Sequence, residues 1–433
     1  MRRLRRGFGY AAAAVVGFGA LPARAADVAQ GADPAATAWI LSATALVLFM
    51  TLPGLALFYG GLVRAKNVLS VMGQCVAIAC LCSVLWLLGA YSLAFAEGSP
   101  LIGGLQKFGL LGVGRDALVG VLPEQVFFGF QMAFAVITPA LIVGAFVERM
   151  RFGAVLAFSG AWLFLVYAPV CHWIWGGGWL AGLGVMDYAG GLVVHATAGI
   201  SALVLAWRVG PRDGFPRDLS PPHSPVLTMM GAGMLWVGWY GFNGGSALSA
   251  SAAAGSALIA THLSAAAGGL VWGLIERLRF GRVSMVGLVT GVVAGLATVT
   301  PASGFVSPLS GLLLGSLGAF ICFQAVELIR HRFRLDDSLD VFAVHGVGGI
   351  LGTVLVAVLA ARPLGGTGYA QGMDMARQAG VQLLGVGAVC LWSAVASLVA
   401  ALVLERMIGL REPVDAVEEG LDSAIHGERA YNP

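Results

Sequence analysis

The sequence contains eleven long apolar stretches, each close to or above the roughly 20 residues that an α-helix needs to cross a hydrocarbon core. They fall at 37 to 62, 68 to 96, 121 to 147, 152 to 174, 189 to 209, 225 to 247, 254 to 276, 284 to 301, 306 to 330, 340 to 361 and 378 to 407. With 58% hydrophobic residues, 11% charged residues and a mean hydropathy of +0.86, the chain has too much apolar surface to bury in a water-soluble core. Backbone in lipid must satisfy its own hydrogen bonds, so each stretch is predicted to be helical. The expected fold is an all-α polytopic membrane protein with eleven transmembrane helices.

Charge sets the expected orientation. Thirteen Lys and Arg residues fall in alternate connections, among them Arg64, Arg149, Arg212 and Arg330, while the opposite connections hold only Lys107, Arg115, Arg362 and Arg377. Basic loops stay inside, which predicts a periplasmic N-terminus and a cytoplasmic C-terminus in a bacterial inner membrane. Residues 1–25 read as a signal peptide: a basic start through Arg6, a short apolar stretch from Gly7 to Leu21, and Ala23-Arg24-Ala25 as a cleavage site. The transmembrane domain is then 26–408, and 409–433 a cytoplasmic tail. The net charge of +3 is dispersed along the chain, so nucleic acid is not an expected partner. None of the six cysteines forms a CxxC pair; no disulfide framework, metal site or cofactor is expected.

Two histidines lie inside apolar stretches in nearly the same text, Val194-His195-Ala196-Thr197-Ala198-Gly199-Ile200 and Val344-His345-Gly346-Val347-Gly348-Gly349-Ile350. A titratable ring in a membrane helix is costly and marks function by default. Each has an aspartate upstream, Asp187 before the first and Asp340 before the second. If helices 1 to 5 match helices 6 to 10, each copy has an odd number of crossings. The two copies are then inverted about an axis in the membrane plane, an inverted 5+5 repeat with helix 11 left over. The inversion brings the two rings together near the bilayer midplane.

The path they line is expected to conduct a small neutral solute, or one that can become neutral by losing a proton. Its candidate lining is aromatic and hydroxylic, without the carboxylate or arginine rings that select ordinary ions. Phe134, Trp175, Trp239, Phe242 and Ser246 fall near the predicted outer ends of helices 3, 4 and 6. Aromatic faces attract a cation by about 0.5–2 kcal/mol, and a serine oxygen accepts a hydrogen bond from it.

These residues sit in text that resembles the Amt/Mep/Rh ammonium transporter family, specifically its bacterial Amt branch. The similarity runs through Thr51-Leu52-Pro53-Gly54 to Gly61, Gly144-Ala145-Phe146-Val147-Glu148-Arg149, Asp187-Tyr188-Ala189-Gly190-Gly191, Gly238-Trp239-Tyr240-Gly241-Phe242-Asn243, Thr300-Pro301-Ala302, and Glu419 to Tyr431. The resemblance implies a homotrimer with one pore per subunit. It assigns Phe134, Trp175 and Ser246 to an outer ammonium site, with Asp187 supporting it. Phe134 and Phe242 become a gate of stacked rings, and His195 and His345 a hydrogen-bonded pair that lines the narrow path and handles protons. Trp239, Thr290 and Thr300 are further polar or aromatic pore contacts. It also implies an ordered tail and a PII-type regulatory protein docking on the cytoplasmic face, with Arg208 to Ser224 contributing to that surface.

Each role has a structural competitor. Trp175 can be an interfacial anchor, Phe134 and Phe242 helix-packing residues, Ser246 a hydroxyl bonded to its own helix, and Asp187 a helix N-cap. Three readings of the whole chain compete with electrogenic ammonium uptake. An ammonium sensor is expected to carry an output domain beyond the short tail. An Rh-like channel for neutral ammonia is expected to lack Trp175 and Ser246. An enzyme needs a nucleophile or metal spacing, and no HExxH or GxSxG occurs.

Overall fold

The computed structural model describes residues 31–431; the predicted signal segment lies outside the described residues. The chain runs through α1 (Pro34–Leu62), α2 (Ala65–Phe95), α3 (Glu124–Ala145), α4 (Phe152–Gly182) and α5 (Gly191–Val209). It continues through α6 (Pro225–Trp239, extended by π-helical turns over Tyr240–Gly244), α7 (Ala252–Phe280) and α8 (Met285–Val299). The last three are α9 (Pro308–Phe333), α10 (Phe342–Leu359) and α11 (Met375–Met407). Nine of these helices are long and apolar enough to cross a membrane. The shorter α8 and the kinked α6 occupy the two remaining places, giving the expected eleven.

Helix starts follow local chemistry. Asp33, Ser224 and Ser307 cap α1, α6 and α9 through side-chain oxygens, and each is followed at once by a proline whose missing N–H is not needed there. Ser284 and Asp374 cap α8 and α11 in the same way. Between α2 and α3 the connection forms two small antiparallel ladders, Gly98–Ser99 with Ile102–Gly103 and Leu118–Val119 with Leu122–Pro123.

The inverted repeat is clearest where α5 meets α10. Gly199, four residues past His195, lies so close to the other helix that a Cβ there would stand 2.3 Å from Gly346 Cα. Gly349, four residues past His345, answers it: its Cβ would stand 2.7 Å from His195 Cβ. Each helix thus needs a bare backbone at the same offset from its histidine, as two-fold-related copies in a close crossing require. Both histidines also lie in π-helical turns, Gly191–Ala196 and Phe342–Gly346, a local widening common at functional positions.

This geometry corrects the pairing of the aspartates. The counterpart of Asp187 is Asp337, not Asp340: both stand eight residues before their histidine and both accept backbone N–H groups at the helix start. Asp340 instead occupies the position of Gly190, five residues before the ring, and shares its left-handed backbone, with φ of 58° against 119°. That conformation is costly for a residue with a Cβ, though aspartate tolerates it better than most.

At the arginine-rich end the connections are tied by the fully buried Arg149. Its guanidinium donates to the carbonyls of Gly210, Val147, Ala145 and Asp336 and to Ser338 Oγ. Arg212 forms a two-pronged pair with Asp336 at 2.8 and 3.0 Å. The tail is ordered against the same chain. A short helix α12 (Val414–Glu419) leads to Asp422, whose carboxylate accepts from Leu69 N at 3.0 Å and Ser70 N at 2.7 Å. Leu421 N donates to Asn67 Oδ1, so the tail caps the start of α2.

Asp337 gives a pH prediction at this end of the fold. Burial, reinforced by the charge of Asp340, raises its carboxyl from the usual 3.8 to about 7. The folded state therefore holds that proton more tightly than the unfolded chain does. Its contribution to stability is full below about 3.8 and is lost as pH rises toward about 7. Thermal unfolding across that window should show a downward component in the parent protein that Asp337→Asn lacks; identical slopes would show that Asp337 does not titrate there.

Candidate functional site

Three cavities follow one another through the bundle. The first is an open recess lined by Phe95, Phe127, Gln131, Phe134, Ile174, Trp175, Tyr188, Ser246 and Leu248. α3, α4 and the end of α6 meet there. Trp175 is held by its indole N–H, which donates to Asp187 O at 2.8 Å, and its ring meets Phe134 edge to face at 5.8 Å. Ser246 Oγ donates to Phe242 O at 2.8 Å. Its proton is thus spent on its own helix, and its lone pairs are left for an incoming donor.

Below the recess the path is shut. Phe134 and Phe242 are buried, and their ring centroids lie 4.4 Å apart. Phe130, the residue most easily confused with Phe134, packs behind it at 5.0 Å and does not line the recess.

Beyond this gate lies a narrow chamber with room for about one water-sized molecule, bounded by Met50, Leu55, Phe58, Ile137, Leu141, Leu235, Val293, Phe242, Trp239 and both histidines. His195 Nδ1 and His345 Nδ1 are 3.3 Å apart, so one ring donates to the other. The rings sit 5.2 Å apart at 25°. Among the described residues lining the chamber, His195 Nε2 is the one buried side-chain polar atom without a protein partner. Apart from the two imidazoles, everything it offers a solute is hydrocarbon or aromatic, and such a chamber does not hold water well.

His345 also borders the third cavity, a wider vestibule at the arginine-rich end. Its walls carry Arg212, Glu276, Glu327, Arg330 and Asp340, and Thr290 lies among them. Arg330 pairs with Asp340 at 3.3 Å.

The structure therefore brings Phe134, Trp175 and Ser246 together, sets Phe134 against Phe242, and pairs His195 with His345. Two other residues, Trp239 and Thr300, fall differently from the sequence reading, and Asp187 takes a supporting place. Trp239 is not at the outer end of its helix: it stacks on His195 at 5.6 Å and lines the histidine chamber. Thr300 stays behind it, accepting the Trp239 indole N–H at 2.9 Å and donating to Leu296 O, and so positions the ring without facing the path. Asp187 does not line the recess. Its carboxylate accepts four backbone N–H groups, from Gly190, Gly191, Leu192 and Val193, at 2.6 to 3.1 Å. It fixes the start of the His195 helix, and its backbone carbonyl orients Trp175. Sequence reasoning missed Gln131, one turn before Phe134 on the recess wall.

The model of the Ammonium Transporter Family matches residues 38–431. An ammonium transporter of Bacillus subtilis (strain 168) is 42% identical over 392 residues, covering 89% of this chain and 96% of its own. Among solved structures, Mep2 of Candida albicans superposes with a TM-score of 0.83 at 38% identity, over 90% of this chain and 88% of that one. A sensor Amt protein superposes with a TM-score of 0.85 at 29% identity, over 90% and 98%. A match from residue 38 to residue 431, joined to this shared architecture, means that the chain belongs to the ammonium transporter family.

Proposed function

We propose that this protein takes up ammonium by binding the cation in the aromatic recess, removing its proton at the gate and passing ammonia through the histidine chamber. The observation that carries this reading is the narrow, apolar chamber beyond the ring gate, where the polar groups offered to a solute are the histidine nitrogens. A cation in the recess meets the rings of Phe134 and Trp175, worth about 0.5–2 kcal/mol, and the free lone pairs of Ser246. Going further, it must shed water and enter hydrocarbon, where an unpaired charge costs several kcal/mol or more. Ammonium avoids that cost by giving up a proton.

The imidazole pair supplies a proton route. If His195 donates through Nδ1, its Nε2 is free to accept a proton from the substrate. The Nδ1 proton then moves to His345 Nδ1, and the His345 Nε2 proton leaves toward the vestibule. One N–H bond of the substrate breaks, ammonia diffuses on, and the proton follows separately, so uptake is electrogenic. Asp187 acts as a positioning residue for both Trp175 and the His195 helix. Phe242 completes the gate with Phe134, while Trp239, Thr300 and Thr290 act on the walls of the path.

The basic loops support an orientation with the recess facing the periplasm and the vestibule facing the cytoplasm of a bacterium. We assign the chain to the inner membrane as a homotrimer, with 1–25 as a cleaved signal and the 409–433 tail as a regulatory segment. The ordered tail and the charged vestibule support docking of a PII-type protein on that face.

The outer site is tested with Trp175→Leu in proteoliposomes. The half-saturating ammonium concentration for the evoked current should rise about tenfold, the loss of roughly 1.4 kcal/mol of cation–π binding. The maximal current should change little. An unchanged half-saturation would remove the recess from the mechanism.

A further inference from the structure

In the recess, two polar groups remain unused by the mechanism above. Gln131 lies on α3, one turn before Phe134, is only 7% exposed, and its Oε1 has no hydrogen-bond partner. The Tyr188 hydroxyl, on the same wall, is also buried without a partner. A buried amide oxygen left without a donor costs about 1–3 kcal/mol, so a native structure keeps one where a ligand or ordered water satisfies it.

We infer that Gln131 is a specificity-determining residue of the outer site, its side-chain oxygen accepting a hydrogen bond from the bound cation. The inference rests on the reading of the recess as the ammonium site and adds a residue to it. Ammonium carries four N–H donors in a tetrahedron. The aromatic rings take its charge without using those donors directionally, and Ser246 accepts one of them. Gln131 supplies a second oxygen from α3, and the Tyr188 hydroxyl, also in the lining, offers a third. A cation surrounded by oxygens on one side and ring faces on the other loses less on leaving water than one held by rings alone. Because Gln131 stands before the gate, it acts on capture and not on passage.

The test uses the full-length protein in proteoliposomes, with currents recorded against ammonium concentration for the parent, Gln131→Leu, Gln131→Glu and Trp175→Leu. Gln131→Leu keeps the side-chain bulk and removes the acceptor; its half-saturation should rise about tenfold with the maximal current retained, as expected for losing a hydrogen bond to a charged group. Gln131→Glu keeps an acceptor oxygen in either protonation state and should half-saturate at or below the parent value. The inference is overturned if Gln131→Leu leaves half-saturation unchanged, if both Gln131 variants raise it equally, or if the leucine variant lowers only the maximum. Where Gln131→Leu fails to assemble, Gln131→Met, flexible and also without an acceptor, carries the same comparison with Gln131→Glu. The control separates the two levels: a weakened Trp175→Leu beside an unaffected Gln131→Leu sinks the glutamine role alone, whereas no effect from either sinks the recess as the ammonium site.

Discussion

Potassium should pass through a His195→Ala variant that the parent protein blocks to potassium. His195 fills the narrow part of the chamber, stacked on Trp239, Phe242 and His345 with centroids 5.2 to 6.0 Å away. In the parent, a potassium ion that reaches the gate has no proton to give up and must enter the apolar chamber as a bare charge. Truncation to alanine opens space for water, which lets the ion keep part of its hydration. If that lowers the barrier by ~3 kcal/mol, potassium flux rises on the order of a hundredfold. The measurement is the current evoked by a potassium pulse, with thermal unfolding as a check that the variant is folded. A folded His195→Ala protein that still excludes potassium while passing ammonium would separate selectivity from the histidine pair.

The second large effect concerns the crossing that brings the pair together. A Gly199→Val substitution would place Cβ 2.3 Å from Gly346 Cα and 2.5 Å from Gly346 N. Both are backbone atoms of α10, so no side-chain rotation relieves the clash, and α5 and α10 must separate. Overpacking at a backbone contact belongs with the most severe single substitutions, above about 4 kcal/mol. Detergent-extracted Gly199→Val should therefore give no cooperative thermal transition, or one far below the parent. Gly387→Val on α11 is the matched control, since a Cβ there meets nothing within 4 Å. Equal stability of the two variants would contradict the close crossing.

Much of this architecture was legible because membrane crossing imposes a length and an apolarity that composition alone reveals. The histidine repeat was legible for the same reason: two rings in hydrocarbon stand out, and their nearly identical flanking text implied a duplicated element. The aspartate pairing was harder. Asp340 lies closer to His345 in the sequence, yet the equal eight-residue spacing of Asp187 and Asp337 from their histidines is the informative signal. Depth along the path was the least legible quantity. No local sequence preference announces the π-helical turns over Tyr240–Gly244. Trp239 consequently read as an outer residue when it belongs beside His195. Gln131 was invisible because a single glutamine one turn before a phenylalanine reads like any packed helix position. Only a buried, unpaired side-chain oxygen on a recess-lining residue distinguishes it.

The central claim is that ammonium is admitted as a cation, parts from its proton, and delivers both products across the membrane. The most direct measurement is the current evoked by an ammonium pulse on purified protein in proteoliposomes, beside an equal potassium pulse and protein-free vesicles. The account predicts a saturable inward current with ammonium and none with potassium. A faster internal pH change on an ammonia gradient without any current would contradict it in favour of a neutral ammonia channel, and the absence of both responses would leave a binding protein that senses ammonium without carrying it.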